Sequence, residues 1–309
     1  MKSFFPAKFR LPLAAVVIFV GIIQSSQAAG LDLYVTDNVA GSVFEFAPDG
    51  SRVTFASGLQ DPTGLAFDSN GNLFVADQST GIIYKYDSFG VQSVFATGLT
   101  RPFGLTFDTL GNLFAVDFGT ANFFNPDGTI YKFTPTGTKS TFATGLYAPV
   151  GLAFSPTGDL FVSDFGADRI YEFNPLGIET LFATAPRPAG LAFDSAGNLF
   201  AATDGQPSGS RTITKFNSLG MGTVFASNLI SPFGLAFDVD GNLFDADSGE
   251  ILKFDGSGNS TVFTNNVSSP VFLAFGPASN VMVPEPSTIS LIVVGVCGLL
   301  YRNRLRKKV

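Results

Sequence analysis

Histidine and tryptophan are absent from this chain, and cysteine occurs once, as Cys297. Without histidine there is no His-based triad, no imidazole zinc site and no imidazole proton shuttle. A single cysteine has no intrachain partner, so no disulfide braces the fold or indicates a compartment. Charged residues are sparse, at 14%, whereas phenylalanine numbers 35 and glycine 34 in a chain that is 45% hydrophobic. That composition is globular rather than disordered. A length of 309 residues suits one or two domains with an ample core.

Both ends read as addresses rather than as fold. Lys2, Lys8 and Arg10 precede an apolar run from Leu11 to Ile23, and Ser26, Gln27 and Ala28 follow it. Residues 1–28 therefore read as a secretory signal peptide cleaved after Ala28 by signal peptidase. The run is short for an uncleaved spanning anchor. At the other end stand Val283-Pro284-Glu285-Pro286-Ser287, an apolar run over 288–301, and the bases Arg302, Arg304, Arg306, Lys307 and Lys308. The prolines stop any preceding element, and the bases favour a cytoplasmic end for a transmembrane segment. This tripartite end, over 281–309, resembles the PEP-CTERM sorting signal of Gram-negative bacteria, with Pro284, Glu285 and Pro286 as its motif. The resemblance implies export through the inner membrane and transient anchoring by the C-terminus. It further implies processing by an exosortase, a final location at the cell surface or outside the cell, and a link to exopolysaccharide or biofilm.

Residues 29–283 carry 10 basic and 24 acidic residues, a net charge of −14. Such a body repels nucleic acid and anionic membrane surfaces, and suits cations, neutral sugars or basic partners.

Within it the phrase Pro-x-Gly-Leu-Ala-Phe-Asp-x-x-Gly-Asn-Leu-Phe recurs from Pro62, Pro102, Pro149, Pro188 and Pro232, with a truncated copy from Pro270. The missing half of that copy lies at the other end, where Asp32-Leu33-Tyr34-Val35-Thr36-Asp37 matches Asn72-Leu73-Phe74-Val75-Ala76-Asp77. Five whole units and one split unit make six, and a period of this size marks a propeller or a solenoid. In the first unit, apolar runs at 64–68, 72–76, 82–86 and 92–96, separated by turn residues, predict four strands. Leu65 and Phe67 would face one neighbour while Gly64 and Ala66 face the other, so that large side chains meet small ones between radially packed sheets. The many phenylalanines are accordingly assigned to the core between blades. Val271–Phe275 would supply the inner strand of a composite blade, and Asp32–Thr36, Val43–Phe46 and Arg52–Phe55 its outer three. The prediction is an all-β, six-bladed β-propeller over 29–280, closed by the N- and C-terminal strands, with a C-terminal hydrophobic segment beyond it.

The run Gly71-Asn72-Leu73-Phe74-Val75-Ala76-Asp77, followed by Ile83-Tyr84-Lys85-Tyr86, resembles the repeats of NHL/gluconolactonase-like six-bladed propellers. The likeness spans nearly all of 31–278. It implies the fold strongly and the activity weakly, because this scaffold hosts lactonases, lyases and pure binding modules.

Strand two ends in a carboxylate at Asp37, Asp77, Asp117, Asp164 and Asp247, with Thr203-Asp204 in the fourth unit. Such a ring suits Ca²⁺ or another divalent cation, which takes oxygen ligands. Equally, each Asp can accept hydrogen bonds from loop N–H groups. Regular repetition favours the second reading, since a site needs different residues in different blades. No cofactor-binding residue is assigned. Asp238-Val239-Asp240-Gly241-Asn242 has the look of a calcium loop, but it occupies a hairpin position and lacks the bidentate Glu.

Departures from the phrase carry more functional information. Units two and four are lengthened after strand two, at Phe118–Gly128 and Asp204–Ser210, on the face that also bears the Asp ring. Phe123, Phe124, Asn125, Asp127, Gln206 and Arg211 are the candidates there, with Arg101 and Arg187 in the loops leading to strand one. Two functions follow. One is a non-enzymatic surface or matrix module that binds a polysaccharide or a protein. The other is a divalent-metal hydrolase or lactonase, which the resemblance associates with Glu, Asn and Asp ligands in the central channel. No such ligand set is matched here, and no catalytic residue is assigned. A streptogramin-lyase-like activity would need a His general base, which is absent. The binding module is the preferred reading.

Overall fold

The computed structural model describes residues 31–120, 125–205 and 211–280. The two ends that carry the signal-peptide and sorting-signal expectations, including Pro284, Glu285 and Pro286, lie outside the described residues. Phe123, Phe124 and Gln206 lie outside them as well.

The described residues form six four-stranded antiparallel sheets arranged as the blades of a propeller. Among the described residues there is no helix, and so none long and apolar enough to cross a membrane. The inner strands are Pro62–Phe67, Pro102–Phe107, Pro149–Phe154, Pro188–Phe193, Pro232–Phe237 and Pro270–Gly276; we number the blades one to six in this order. Blade six is composite. Its order is Pro270–Gly276, Asp32–Asp37, Ser42–Phe46, Arg52–Ser57, so C-terminal and N-terminal strands share one ladder and close the ring. In blade one the inner strand starts two residues earlier than the apolar run suggests, at Pro62, and strand two is Leu73–Asp77. Pro62 tolerates this because it sits at the strand's first position, where a missing N–H is harmless.

The hairpins follow from turn chemistry. Asp68 accepts the N–H groups of Asn70 and Asn72 at 2.9 Å each and the Asn72 side-chain amide at 2.8 Å, while Gly71 supplies the positive φ of 78°. Asp238 does the same for Asp240 and Asn242, which makes that segment a hairpin turn.

Glycine in the phrase answers to the approach of neighbouring inner strands. A Cβ on Gly64 would run into the Phe103 carbonyl, and one on Gly104 into that of Val150. The large face of each blade is then locked by aromatics. Phe74 of strand two meets Phe95 of its own blade at 4.9 Å and Phe107 of the next blade at 5.1 Å, both edge-on. The same T-shaped triad is built on Phe114, Phe161, Phe200, Phe244 and Tyr34 in the other blades. This geometry, which sets positive ring edges against negative faces, adds about 0.5–1.5 kcal/mol per pair beyond area burial.

Candidate functional site

The face formed by the loops after strand two and before strand one carries the Asp ring and the described residues of the two insertions. The five ring carboxylates are buried. Each accepts backbone N–H groups from the loop that brings the chain in from the preceding blade. Asp117 takes Thr100 at 2.7 Å and Arg101 at 2.8 Å; Asp164 takes Tyr147 at 2.9 Å and Ala148 at 3.0 Å. Asp77 binds Gln60 and Asp61, Asp247 binds Ile230 and Ser231, and Asp37 binds Ser268 and Ala40. Carboxylates so occupied brace loops. Among the described residues no group of three or more His, Cys, Asp or Glu side chains is gathered that could hold a metal ion. The ring carboxylates, engaged in this way, therefore do not fit a channel metal.

The channel itself is stoppered. Phe103, Phe233 and Phe272 come from the inner strands of blades two, five and six, and their ring centroids lie 5.7–5.9 Å apart pairwise. Blades two and five face each other across the axis, so a contact between Phe103 and Phe233 closes it. Phe272 stands where the other five copies of the phrase hold glycine.

Above this plug sits an arginine cluster centred on blade four, where the repeat is broken. Thr203 replaces the ring Asp, and its hydroxyl turns to Thr212 at 2.8 Å. The incoming loop is braced instead by Asp168, whose carboxylate accepts the Arg187 N–H at 2.8 Å and whose carbonyl accepts the Ala185 N–H at 3.1 Å. Asp168 and Arg187 both adopt left-handed backbone, with φ of 55° and 45°, a conformation that costs non-glycine residues about 1–3 kcal/mol each and gathers at functional sites. The result points Arg187 at Asp204, Nη1 to Oδ2 3.1 Å, while Arg211 Nε reaches Asp204 Oδ1 at 2.8 Å. Arg187 also lies over the Phe165 ring at 4.5 Å, and Arg101 over Phe118 at 5.1 Å. Both arginines of the Asp204 pair keep more than a third of their side-chain surface exposed, so donors remain for a ligand.

The structure thus brings together Arg187, Arg211 and Asp204, and sets Arg101 on its own aromatic plate. It does not join Asn125 and Asp127 to them. Asp127 accepts the Thr120 N–H at 3.1 Å and the Asn125 side-chain amide at 3.5 Å, and its hydrogen bonds from Thr120 lower its pKa; these bonds tie Asp127 to Thr120 and Asn125. Near the mouth, burial and then the Asp77 charge raise the Asp61 carboxyl, against opposing help from Ser79, Asn38 and Arg101.

Sequence reasoning overlooked Asp245. It is wholly buried in strand two of blade five, where other blades have Val75, Ala115 or Val162. It accepts the Phe233 N–H at 3.1 Å, while its second oxygen has no hydrogen-bond partner. Burial, and then the nearby Asp247, push its pKa well above the ordinary carboxyl range. An acid at an otherwise apolar repeat position was the available signal.

No family model matches the chain, and no curated protein matches it in sequence. Solved structures do. A chain of a nidogen/laminin complex aligns with a TM-score of 0.70 at 19% identity, covering 81% of this chain and 100% of that one. A gluconolactonase from Xanthomonas campestris aligns at 0.61 and 20%, covering 70% and 79%. Virginiamycin B lyase from Staphylococcus aureus aligns at 0.55 and 18%, covering 70% and 77%. These likenesses establish a six-bladed propeller with gluconolactonase-like neighbours. The scaffold they share serves both a binding assembly and enzymes.

Proposed function

We propose that the chain is an exported propeller that acts as a binding module. In this reading it is released by signal peptidase, sorted by an exosortase through the Pro284-Glu285-Pro286 tail, and engages an anionic, uronic-acid-bearing polysaccharide at the cell surface or in the matrix. The observation that carries the reading is the channel mouth. Phe103, Phe233 and Phe272 fill the axis where a lactonase would hold its metal, the ring carboxylates face loop backbone, and three arginines stand above. The ring aspartates beneath are buried against loop N–H groups. Arg187 and Arg211 share one carboxylate, Asp204, while keeping more than a third of their side chains exposed, so guanidinium donors are presented at the mouth of a body of net charge −14. Arg forks match carboxylates bidentately, and Phe118 and Phe165 lie beneath Arg101 and Arg187. A lyase reading has no support, since the catalytically inactive form of the virginiamycin lyase is a His-to-Ala variant and this chain contains no histidine.

The test is retention of the full chain on polygalacturonate against a neutral glucan, with the Arg187→Ala/Arg211→Ala pair as the variant. Selective retention of wild type, weakened at least tenfold in the variant, is expected. Equal retention on both polymers, or turnover of a lactone panel dependent on an added divalent metal, would replace this reading. The address is tested apart, by fractionating cells that express Pro286→Ala; unchanged processing and location would reject exosortase sorting.

A further inference from the structure

On the opposite face of the disc, four blades repeat one small device. In the cross-strand pairs Phe74–Lys85, Phe114–Lys132, Phe200–Lys215 and Phe244–Lys253, strand three sets a lysine opposite the strand-two phenylalanine. Each ammonium lies 5.0–5.3 Å from the ring centroid. Each is also paired, at 3.2–3.8 Å, with the first-turn aspartate of its blade: Asp68, Asp108, Asp194 or Asp238. A cation over a ring face, held by a carboxylate, is favourable on both counts.

Two blades break the pattern by placing glutamate at the lysine position. In blade six the change is compensated: Glu45 accepts the Tyr34 hydroxyl at 2.9 Å and is bonded by the Ser279 N–H and hydroxyl. In blade three it is not. Glu172 faces Phe161, which has no hydroxyl. The first-turn aspartate is Ser155 there, and a second acid, Asp159, stands where other turns carry asparagine. The Glu172 carboxylate has no hydrogen bond or ion pair among the described residues. Its pKa is raised, first by burial and then by Asp159. An anion facing the negative face of a ring is the wrong sign for that quadrupole. Beside it, between blades three and four, opens a cleft of about 390 Å³ lined by Phe161, Phe182, Phe193 and Glu172. The ring of the device remains, acids stand at its lysine and asparagine positions, and the ammonium is missing.

We infer that this cleft receives a lysine side chain presented by a partner polypeptide, with its ammonium over Phe161 against Glu172 and its alkyl stem against Phe182 and Phe193. The four internal lysines are the template for that pose, and the acidic body favours the approach of a basic segment. The site lies on the hairpin face, away from the arginine mouth, and stands independently of the polysaccharide reading.

Calorimetric titration of the full chain with a blocked Ala-Lys-Ala-Lys-Ala peptide, its norleucine counterpart and 1,5-diaminopentane tests the inference. The lysine peptide should bind at least tenfold more tightly than the norleucine peptide and than the diamine. Glu172→Lys, which restores the repeat and supplies the ammonium from within, should abolish binding without lowering the unfolding temperature. Glu172→Gln should weaken it several-fold, and Glu179→Gln, a neutralised acid exposed on the neighbouring strand, should change nothing. No measurable binding, equal binding of lysine and norleucine peptides, unaltered binding in Glu172→Lys, or an equal loss in Glu179→Gln would overturn it. A diamine that binds as tightly as the lysine peptide would overturn the polypeptide assignment.

Discussion

The two faces of this disc use aspartate in opposite ways. On the channel-mouth face the ring aspartates are buried and reach across the chain. Asp117 accepts N–H groups from residues 16 and 17 positions upstream, and Asp164 and Asp247 do the same. Each therefore ties the end of one strand to the loop that arrives from the blade before. On the hairpin face Asp68, Asp108, Asp194 and Asp238 reach two and four residues ahead, within their own turns, and share a partly exposed lysine. The same side chain is a long-range clamp on one face and a local cap on the other. What separates them is burial, because a lost acceptor is replaced by water only where water can reach.

The sharpest break of that comparison is Asp117→Ala. It removes the acceptor for Thr100 and Arg101 at 2.7 and 2.8 Å, and for Gly119 at 3.3 Å. Charge-assisted bonds contribute about 1.5–3 kcal/mol, and orphaned buried donors cost about 1–3 kcal/mol each. A loss of about 3–4 kcal/mol is expected, read as a fall in unfolding free energy by denaturant titration. A loss below about 1 kcal/mol would mean that the clamps are dispensable.

Asp245 gives the intermediate test, because it is a buried acid that clamps only one group. With its folded-state pKa raised above the unfolded value of about 3.9, the native state binds the extra proton between those two values. Its contribution to stability is thus complete below the unfolded pKa and is lost as pH rises toward the folded one. Within that window the slope is about 1.4 kcal/mol per pH unit. Asp245→Asn keeps an acceptor for Phe233 and carries no charge, so its stability should be flatter with pH and exceed that of wild type at neutral pH. Parallel pH profiles of the two proteins, from thermal melts between pH 4 and 8, would contradict this.

Much of this was legible because the phrase repeats. Period, turn residues and alternation sufficed for six blades, for the closing of the ring by Pro270–Gly276 with Asp32–Asp37, and for Phe as mortar between blades. Other features depended on contacts that repetition does not encode. The donors to each ring Asp sit in loops whose sequences differ, so the clamp partners could not be read from spacing. Phe272 is a visible departure at the third phrase position, and Phe103 and Phe233 occupy its variable second position, yet their meeting follows only from ring closure. Thr203 was visible as an irregular ring member, but Asp168 as the substitute brace, and the turned Arg187 that results, required the left-handed backbone at both residues. The blade-three Glu172 likewise becomes informative only once Lys85, Lys132, Lys215 and Lys253 are seen over their rings.

The smallest effect is expected on the hairpin face, at Asp68. Its removal frees the N–H groups of Asn70 and Asn72 in a turn whose tip is open to solvent. It also breaks a 3.8 Å ion pair with Lys85, whose side chain is 37% exposed. Water reaches the donors at the open turn tip, and an ion pair with a partly exposed partner such as Lys85 contributes about 0–1 kcal/mol. Lys85 keeps its place over Phe74 at 5.3 Å, so the ring contact survives the loss of the acid. Asp68→Ala should therefore cost about 1 kcal/mol, most of it for the turn, and that cost should barely change between low and high salt. A loss as large as that of Asp117→Ala would erase the distinction between clamp and cap. A strong salt dependence would move the energy from the turn to the ion pair.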